Sequence, residues 1–372
     1  MNIFDYIQPA AFVVLGTVAV AFIGIFFGLL FKGIDRKLSA HMQGRIGPPI
    51  IQPFRDVRKL FVKENIIPNH AIPWLFNLAP VIGLVATITI LVYLPLAGFD
   101  PIAHTFKDGG LFLFGDLILI LYLLIIPSLA MVIGGFASGS PYAIVGAQRE
   151  MTTMISYEFP LAIIIVSIAF RLFQQANPDI TNVFSLTTIA SYPIWNNIDS
   201  IAGFAGLCIL LLVLVIVTPA ELSKIPFDSP EAETEIAGGL LTEYSGRNLG
   251  MFYLMDAVKT FVMASLIVVL FFPYTIASIV GTETIASFVG TNTILQIGIY
   301  TLDILFFLLK VFLVVLISVT LIRVAVARLK IDQIVSTYWV YLTLFGLVGL
   351  ILLMWDQTVA VIISNVAASL GF

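Results

Sequence analysis

PAELSKIPFDSPEAETEIAGGLLTEYSGRNLG, residues 219–250, separates two apolar runs, Ile201 to Thr218 and Met251 to Phe272. Each run is about the ~20 residues that a helix needs to cross the hydrocarbon core of a bilayer. The stretch between them holds Glu221, Asp228, Glu231, Glu233, Glu235 and Glu243, in a chain where only 11% of residues are charged. These acids therefore sit at a membrane surface or in a crevice that opens onto it. Either position suits handling protons or cations, or docking a partner. Local signals predict a short ordered helix here. Asp228 or Ser229 can cap its start, and Pro230 fits the first turn, where its missing N–H costs nothing. Glu231, Glu233 and Glu235 then lie near the positive end of the helix dipole, with Glu231 and Glu235 on one face. Gly238-Gly239 admits close approach of another backbone. Composition alone also allows a solvated acidic loop.

Working outward, 60% of the 372 residues are hydrophobic and the mean hydropathy is +1.07. A soluble domain of this size cannot hide that much apolar surface. The expected fold is an all-α polytopic membrane protein forming a single membrane domain over residues 1–372. It would have an interfacial amphipathic segment at 41–64 and an ordered acidic loop at 219–249. Eight spanning helices are expected, at 9–33, 73–97, 111–135, 149–172, 200–219, 249–274, 294–324 and 336–364. The N-terminus lacks a basic region before its apolar run, so Ala10 onward is read as a retained helix. A lone cysteine, Cys208, offers no disulfide pair within the chain and no iron–sulfur ligand set. His41, His70 and His104 are scattered, which argues against a haem or zinc site in this chain alone. No metal or nucleic acid is expected to bind here.

Lysine and arginine set the orientation. Loop 32–72 carries Lys32, Arg36, Lys37, Arg45, Arg55, Arg58, Lys59 and Lys63, and loops on the same side add Arg149, Lys224, Arg247, Arg323, Arg328 and Lys330. The opposite side has only Lys107 and Arg171. The basic side is expected to be cytoplasmic, in the cytoplasmic (inner) membrane, with both termini outside.

Three further stretches carry chemistry. In HMQGRIGPPIIQPFRDVRKLFVKE, residues 41–64, Ile50, Phe54, Val57 and Phe61 recur at helical spacing while Arg55, Arg58, Lys59 and Lys63 take other faces. Such a helix lies in the interface rather than spanning it. In GAQREMTTMISYEFP, residues 146–160, Glu150 and Glu158 are ~12 Å apart along a helix, and Pro160 would kink it near Glu158. A carboxylate at that depth is costly unless it is hydrated, paired or protonated. A proton relay is the reading preferred over a helix-to-helix hydrogen bond. Later helices add Asp256 and Lys259, one turn apart, and Asp303 and Lys310, two turns apart, as candidate buried charge pairs. Asp116 and Asp356 also lie in apolar runs, with no role assigned from sequence.

IPFDSPEAETEIAGGLLTEYSGR resembles the loop signature of the membrane subunit at the hinge of respiratory complex I (the first, or H, subunit), which its hydrogenase relatives share. The 41–64 stretch resembles the family's Arg-Ile-Gly-Pro … Gln-Pro … Asp … Lys-Leu … Lys-Glu pattern at Arg45, Gln52, Asp56, Lys59 and their neighbours. That segment helps shape the entrance to a buried chamber in the family. Arg149, Ser156, Tyr157, Glu158 and Pro160 resemble its Arg … Ser-Tyr-Glu-x-Pro element, and Arg323, Arg328, Asp332, Gln333 and Trp339 its Arg … Asp-Gln … Trp element. Quinone-reducing members usually have a longer insert before Gln-Pro. Here Pro48-Pro49-Ile50-Ile51 runs directly into Gln52, which resembles the branch of membrane-bound [NiFe] hydrogenases and formate hydrogenlyases and counts against quinone binding.

The resemblance implies a membrane anchor and coupling subunit that is not catalytic alone. Its partners would be a hydrogenase-like large subunit, an iron–sulfur subunit and antiporter-like membrane subunits. The iron–sulfur clusters, and a [NiFe] centre, would sit in those partners and no cofactor in this chain. The expected relay of H⁺ or Na⁺ comprises Glu221, Asp228, Glu231, Glu233, Glu235 and Glu243 at the cytoplasmic end, with Glu150, Glu158 and Asp256 deeper. Arg45, Gln52, Asp56, Lys59, Arg149, Tyr157, Arg247, Arg323, Arg328 and Asp332 would shape the chamber or dock partners. A quinone-site subunit, an independent ion transporter and a passive anchor are the competing readings. The topology has a direct check. In a Cys208→Ser background, cysteines at Arg58, Ala232 and Lys330 should label from the cytoplasm, and those at Ser185 and Ile285 from outside. Labelling of position 232 from outside would reverse the assignment.

Overall fold

Inside hydrocarbon every backbone N–H and C=O must be satisfied within its own segment, so each apolar run winds into a helix. The computed structural model describes residues 4–94, 116–174, 183–196, 198, 200–280 and 293–370. Helix α1 is Phe4–Met42, α2 Gln52–Val62, α3 Pro73–Tyr93, α4 Leu117–Ala137, α5 Pro141–Gln174, α6 Ile201–Glu221 and α7 Gly246–Phe271. Helix α8, Thr293–Val315, continues through a π-helical stretch, Leu316–Leu321, into Ile322–Ala325. After Ile331–Ser336 and a second π-helical stretch, Thr337–Leu342, α9 runs over Thr343–Leu370. Eight of these helical stretches are long and apolar enough to cross a membrane. No strand occurs among the described residues, only an isolated antiparallel bridge between Asp116 and Ser185. The chain is an all-α polytopic membrane protein.

Helix α7 is the axis. Its apolar window is 94% buried, against 28% for α1 and for the last span, so the latter two turn much of their surface to lipid or to neighbours. Helices α1, α2, α3 and α8 pack around α7. Two boundaries differ from expectation in ways that matter. Helix α1 continues to Met42 rather than ending near 33, which carries Lys32, Asp35 and Arg36 up one continuous helix. Helix α5 begins at Pro141 rather than 149, so Glu150 is about two and a half turns inside it. The amphipathic helix α2 covers Gln52–Val62 rather than 41–64, with Ile50 outside it and Phe61 exposed. Phe54 and Val57 pack against Leu29, Leu254 and Ala257, while Arg55, Arg58 and Lys59 are exposed.

The acidic stretch is ordered, but it is not one helix. A 3₁₀ turn, Ser229–Glu231, gives way to extended Ala232, and a single helical turn follows at Glu233–Ile236. Glu231 and Glu235 therefore share no helix face, which corrects the expected arrangement. The cap is also different, because the Asp228 carboxylate is taken by a two-pronged bond from Arg328 at 2.8 and 2.5 Å. A charge-assisted fork of this kind outcompetes a side-chain cap on a short turn.

Ala237, Gly238 and Gly239 then take left-handed conformations at φ 52°, 93° and 55°, folding the chain back on itself. A Cβ on Gly239 would lie 2.0 Å from the Pro230 carbonyl oxygen. Gly239→Ala is therefore expected to cost about 1–2 kcal/mol for the left-handed backbone alone, with more for the clash. Thermal unfolding of the purified complex should show a lower midpoint for this variant; an unchanged midpoint would mean that the fold-back is not required.

Candidate functional site

Where the acidic stretch leaves α6, four helices converge on a buried polar network. Glu221, the last residue of α6, meets Lys259 of α7 at 2.9 Å, and both side chains are 2% exposed. Lys259 also donates to Ser128 Oγ of α4 at 2.8 Å. Ser128 lies 3.2 Å from the Tyr157 hydroxyl of α5, which faces Glu221 as well. Glu150 of α5, 1% exposed, has Ser223 Oγ at 3.3 and 3.5 Å. Ser223 holds φ 48°, a left-handed value uncommon outside glycine, and so turns the chain out of α6 beside Glu150. Glu150 and Glu221 thus share the charge of one ammonium, Lys259. Removing one partner of such a buried pair typically costs about 3–5 kcal/mol, because the other is stranded. Glu158 is two turns further along α5 and half-buried; its Oε1 is buried without a hydrogen-bond partner.

A second cluster lies toward the basic side. Asp256 of α7 accepts from Lys32 of α1 at 2.6 Å and from Lys224 at 2.7 Å to each oxygen. The Lys32 ammonium sits 3.4 Å from the centre of the Tyr253 ring, and the Tyr253 hydroxyl meets Arg36. Arg36 pairs with Asp56 of α2 at 3.4 Å, and Gln52 donates to Asp56 at 2.8 Å. The amphipathic helix is thereby wired to α7. Burial alone would lower the Lys224 pKa, but Asp256 and Glu231 outweigh it and hold the ammonium above its usual range. Burial pushes the Glu231 carboxyl up from the ordinary carboxylate range, with Lys224 opposing. Glu231 and Glu233 line a cleft of about 500 Å³ together with Gly238, Leu241 and Thr242.

The remaining expected residues divide. Asp228 is held by Arg328, which also donates to Thr234 Oγ1 at 3.1 Å. Glu235 pairs with Arg149 at 2.6 Å, and Arg149 also reaches the Ser229 carbonyl. Arg323 binds Asp35 at 3.2 Å, and Thr320, in the first π-helical stretch, donates to the same carboxylate at 2.7 Å. Glu243 is half-buried, while Arg45, Lys59, Arg247 and Asp332 are exposed and outside these clusters.

Two expected pairings are corrected. Lys259 bonds Glu221 rather than Asp256, because Asp256 is already held by Lys32 and Lys224. Lys310 donates to the carbonyls of Phe272 and Tyr274, whereas Asp303 accepts from the Ile276 N–H. Unpaired carbonyls at the end of α7 draw the ammonium, and the start of the short helix Ile276–Val280 draws the carboxylate.

Sequence reasoning also counted Lys32, Lys224 and Arg171 as loop charges. The first two close on Asp256. Arg171 is buried against Asp356 at 3.0 Å, and Ser200 bonds the same carboxylate. The one available signal was that an acid in an apolar run needs a counter-charge. Among the described residues, no three or more His, Cys, Asp or Glu gather as a metal site.

The comparisons agree with this architecture. The family described as NADH dehydrogenase matches residues 15–354. The H subunit of the NADH-quinone oxidoreductase of Brevibacillus brevis is 35% identical over 262 residues, covering 68% of this chain and 71% of that protein. A chain in the structure of the membrane-bound sulfane sulfur reductase, an archaeal respiratory membrane complex, aligns with a TM-score of 0.72 at 27% identity. That alignment covers 92% of this chain and 99% of the other. With eight apolar helices, the acidic stretch between α6 and α7 and a match over nearly its whole length, this chain belongs to the NADH dehydrogenase family of complex I-related membrane subunits.

Proposed function

We propose that this chain couples electron transfer in the soluble arm of a complex I-related, hydrogenase-like complex to movement of H⁺ or Na⁺ through its own buried carboxylates. The supporting observation is the Glu150–Ser223 and Glu221–Lys259–Ser128–Tyr157 network, which joins the acidic stretch to the interior of four helices. Two carboxyls face one ammonium there, and burial forbids an unpaired second charge. Glu221 has Lys259 in contact. Glu150, with a hydroxyl as its neighbour, is then the group that holds and yields a proton. Glu158 continues the path along α5 toward the outer surface of the chain. The acidic stretch, with its cleft, receives the soluble arm. On this reading the chain is not catalytic alone and lies in the cytoplasmic membrane with both termini outside. Its partners are a hydrogenase-like large subunit, an iron–sulfur subunit and antiporter-like subunits. The clusters, and a [NiFe] centre, are theirs.

The Brevibacillus relative is named for quinone chemistry, which supports a second reading as a quinone-site subunit. Against it stands the short segment before α2. The Ile50 carbonyl presses on α1 so closely that a Cβ on Gly33 would lie 2.1 Å from it. A photoreactive quinone analogue is expected not to label residues 45–60 of the purified complex. Labelling there that excess quinone competes away would favour the quinone reading.

The relay itself is tested in sealed vesicles carrying the assembled complex and driven by an artificial electron carrier. Glu150→Gln and Glu158→Gln keep shape but cannot carry a proton. Each is expected to retain electron transfer while ion movement falls at least ~100-fold, the low end of what one acid–base group contributes. Normal ion movement in either variant would make that residue structural.

A further inference from the structure

Asp256 receives two ammonium groups, and one carboxylate neutralises only one of them. The two lysines are held differently. Lys32 rises from the continuous helix α1, its side chain is 10% exposed, and its ammonium lies over the Tyr253 ring. Lys224 hangs from the turn after α6, next to the left-handed Ser223, and is 23% exposed. Its ammonium also lies within electrostatic reach of Glu231. Glu231 is half-buried on the cleft wall, and among the described residues no side chain makes a hydrogen bond or ion pair with its carboxylate.

We infer that Lys224 is a positioning cation that passes between Asp256 and Glu231, and that Lys32 keeps Asp256 paired when Lys224 leaves. With Glu231 protonated, Lys32, Lys224 and Asp256 carry a net +1 and Lys224 stays on Asp256. When Glu231 releases its proton to water in the cleft, the four groups become neutral and the half-buried carboxylate gains by closing on Lys224. Asp256 is not stranded, because Lys32 remains at 2.6 Å. The other acids facing these two groups are Asp228, Asp35 and Glu150. Arg328 occupies Asp228, Arg323 and Thr320 occupy Asp35, and Glu150 lies behind Ser223, so Glu231 is the acceptor left to Lys224. The movement would act on the interior directly. Ser223, whose hydroxyl faces Glu150, is the residue before Lys224, so a shift of the turn changes the surroundings of the relay carboxyl.

This inference deepens the coupling proposal and rests on it for the link to ion movement, but the hand-off itself is measured without any pumping. The assembled complex would be imaged by electron cryomicroscopy at one pH below and one pH above the Glu231 titration. The Glu231 protonation state would be followed by its infrared carboxyl band, assigned with Glu231→Gln. The expected result is Lys224 on Asp256 at the lower pH and on Glu231 once that band is lost, with Lys224 staying on Asp256 at both pH values in Glu231→Gln. Lys224→Met should raise the proton affinity of Glu231 at least ~10-fold, one pH unit, and Lys224→Arg should bring it back to within ~3-fold of the native value. Lys224 remaining on Asp256 while Glu231 ionises, or a Glu231 titration unmoved by Lys224→Met, would overturn the inference. A hand-off observed in a complex whose ion movement ignores Glu150→Gln and Glu158→Gln would sink the coupling proposal and leave the hand-off standing.

Discussion

Charge matching around the central helix is the constraint that the rest of this protein obeys. Helix α7 is buried almost throughout, yet it carries Asp256 and Lys259 less than one turn apart. An unpaired ion at such depth is far more costly than any single packing defect. Pairing the two with each other would have satisfied both and left α7 electrically closed. Instead each is matched from outside: Asp256 by Lys32 of α1 and Lys224 of the acidic stretch, Lys259 by Glu221 at the end of α6. The central helix is thereby tied to two layers of chain, one at the basic surface and one in the interior.

The same logic explains why an acid-rich segment is ordered. Arg328 holds Asp228, Arg149 holds Glu235, and Lys224 reaches inward to Asp256. Three cations from three parts of the chain pin a segment with little regular secondary structure. The left-handed run at Ala237–Gly239 then folds it against Pro230. The outcome is an ordered acidic surface with a cleft lined by Glu231 and Glu233.

The end of the molecule opposite the basic loops is held by contacts of its own. Arg171 and Asp356 pair at 3% and 1% exposure, with Ser200 bonding the same carboxylate at the start of α6. Lys310 closes the exposed carbonyls beyond α7. These contacts join helix ends, and Arg171 with Asp356 is a matched charge pair. At the basic end, by contrast, Glu231 has no side-chain partner of its own among the described residues, and Glu150 has a hydroxyl.

The amino-acid pattern by itself determined the membrane class, the eight spans and the family, because apolar length and an uncommon residue string are local properties. It also marked Glu150, Glu158, Glu221 and the loop acids, since a carboxylate beside or within an apolar run stands out against its neighbours. Only the tertiary structure decided who pairs with whom. Lys32 and Lys224 read as ordinary basic flanks, and Arg171 as an outer-loop charge, because a cation at the end of an apolar run has the same sequence signature whether it faces water or a buried acid. Asp256 and Lys259 looked like a local pair for the converse reason. Spacing along one helix shows which groups can meet, but partners contributed by distant helices set the electrostatic outcome. Those partners depend on how the helices are arranged around α7, and no local stretch of the chain encodes that arrangement.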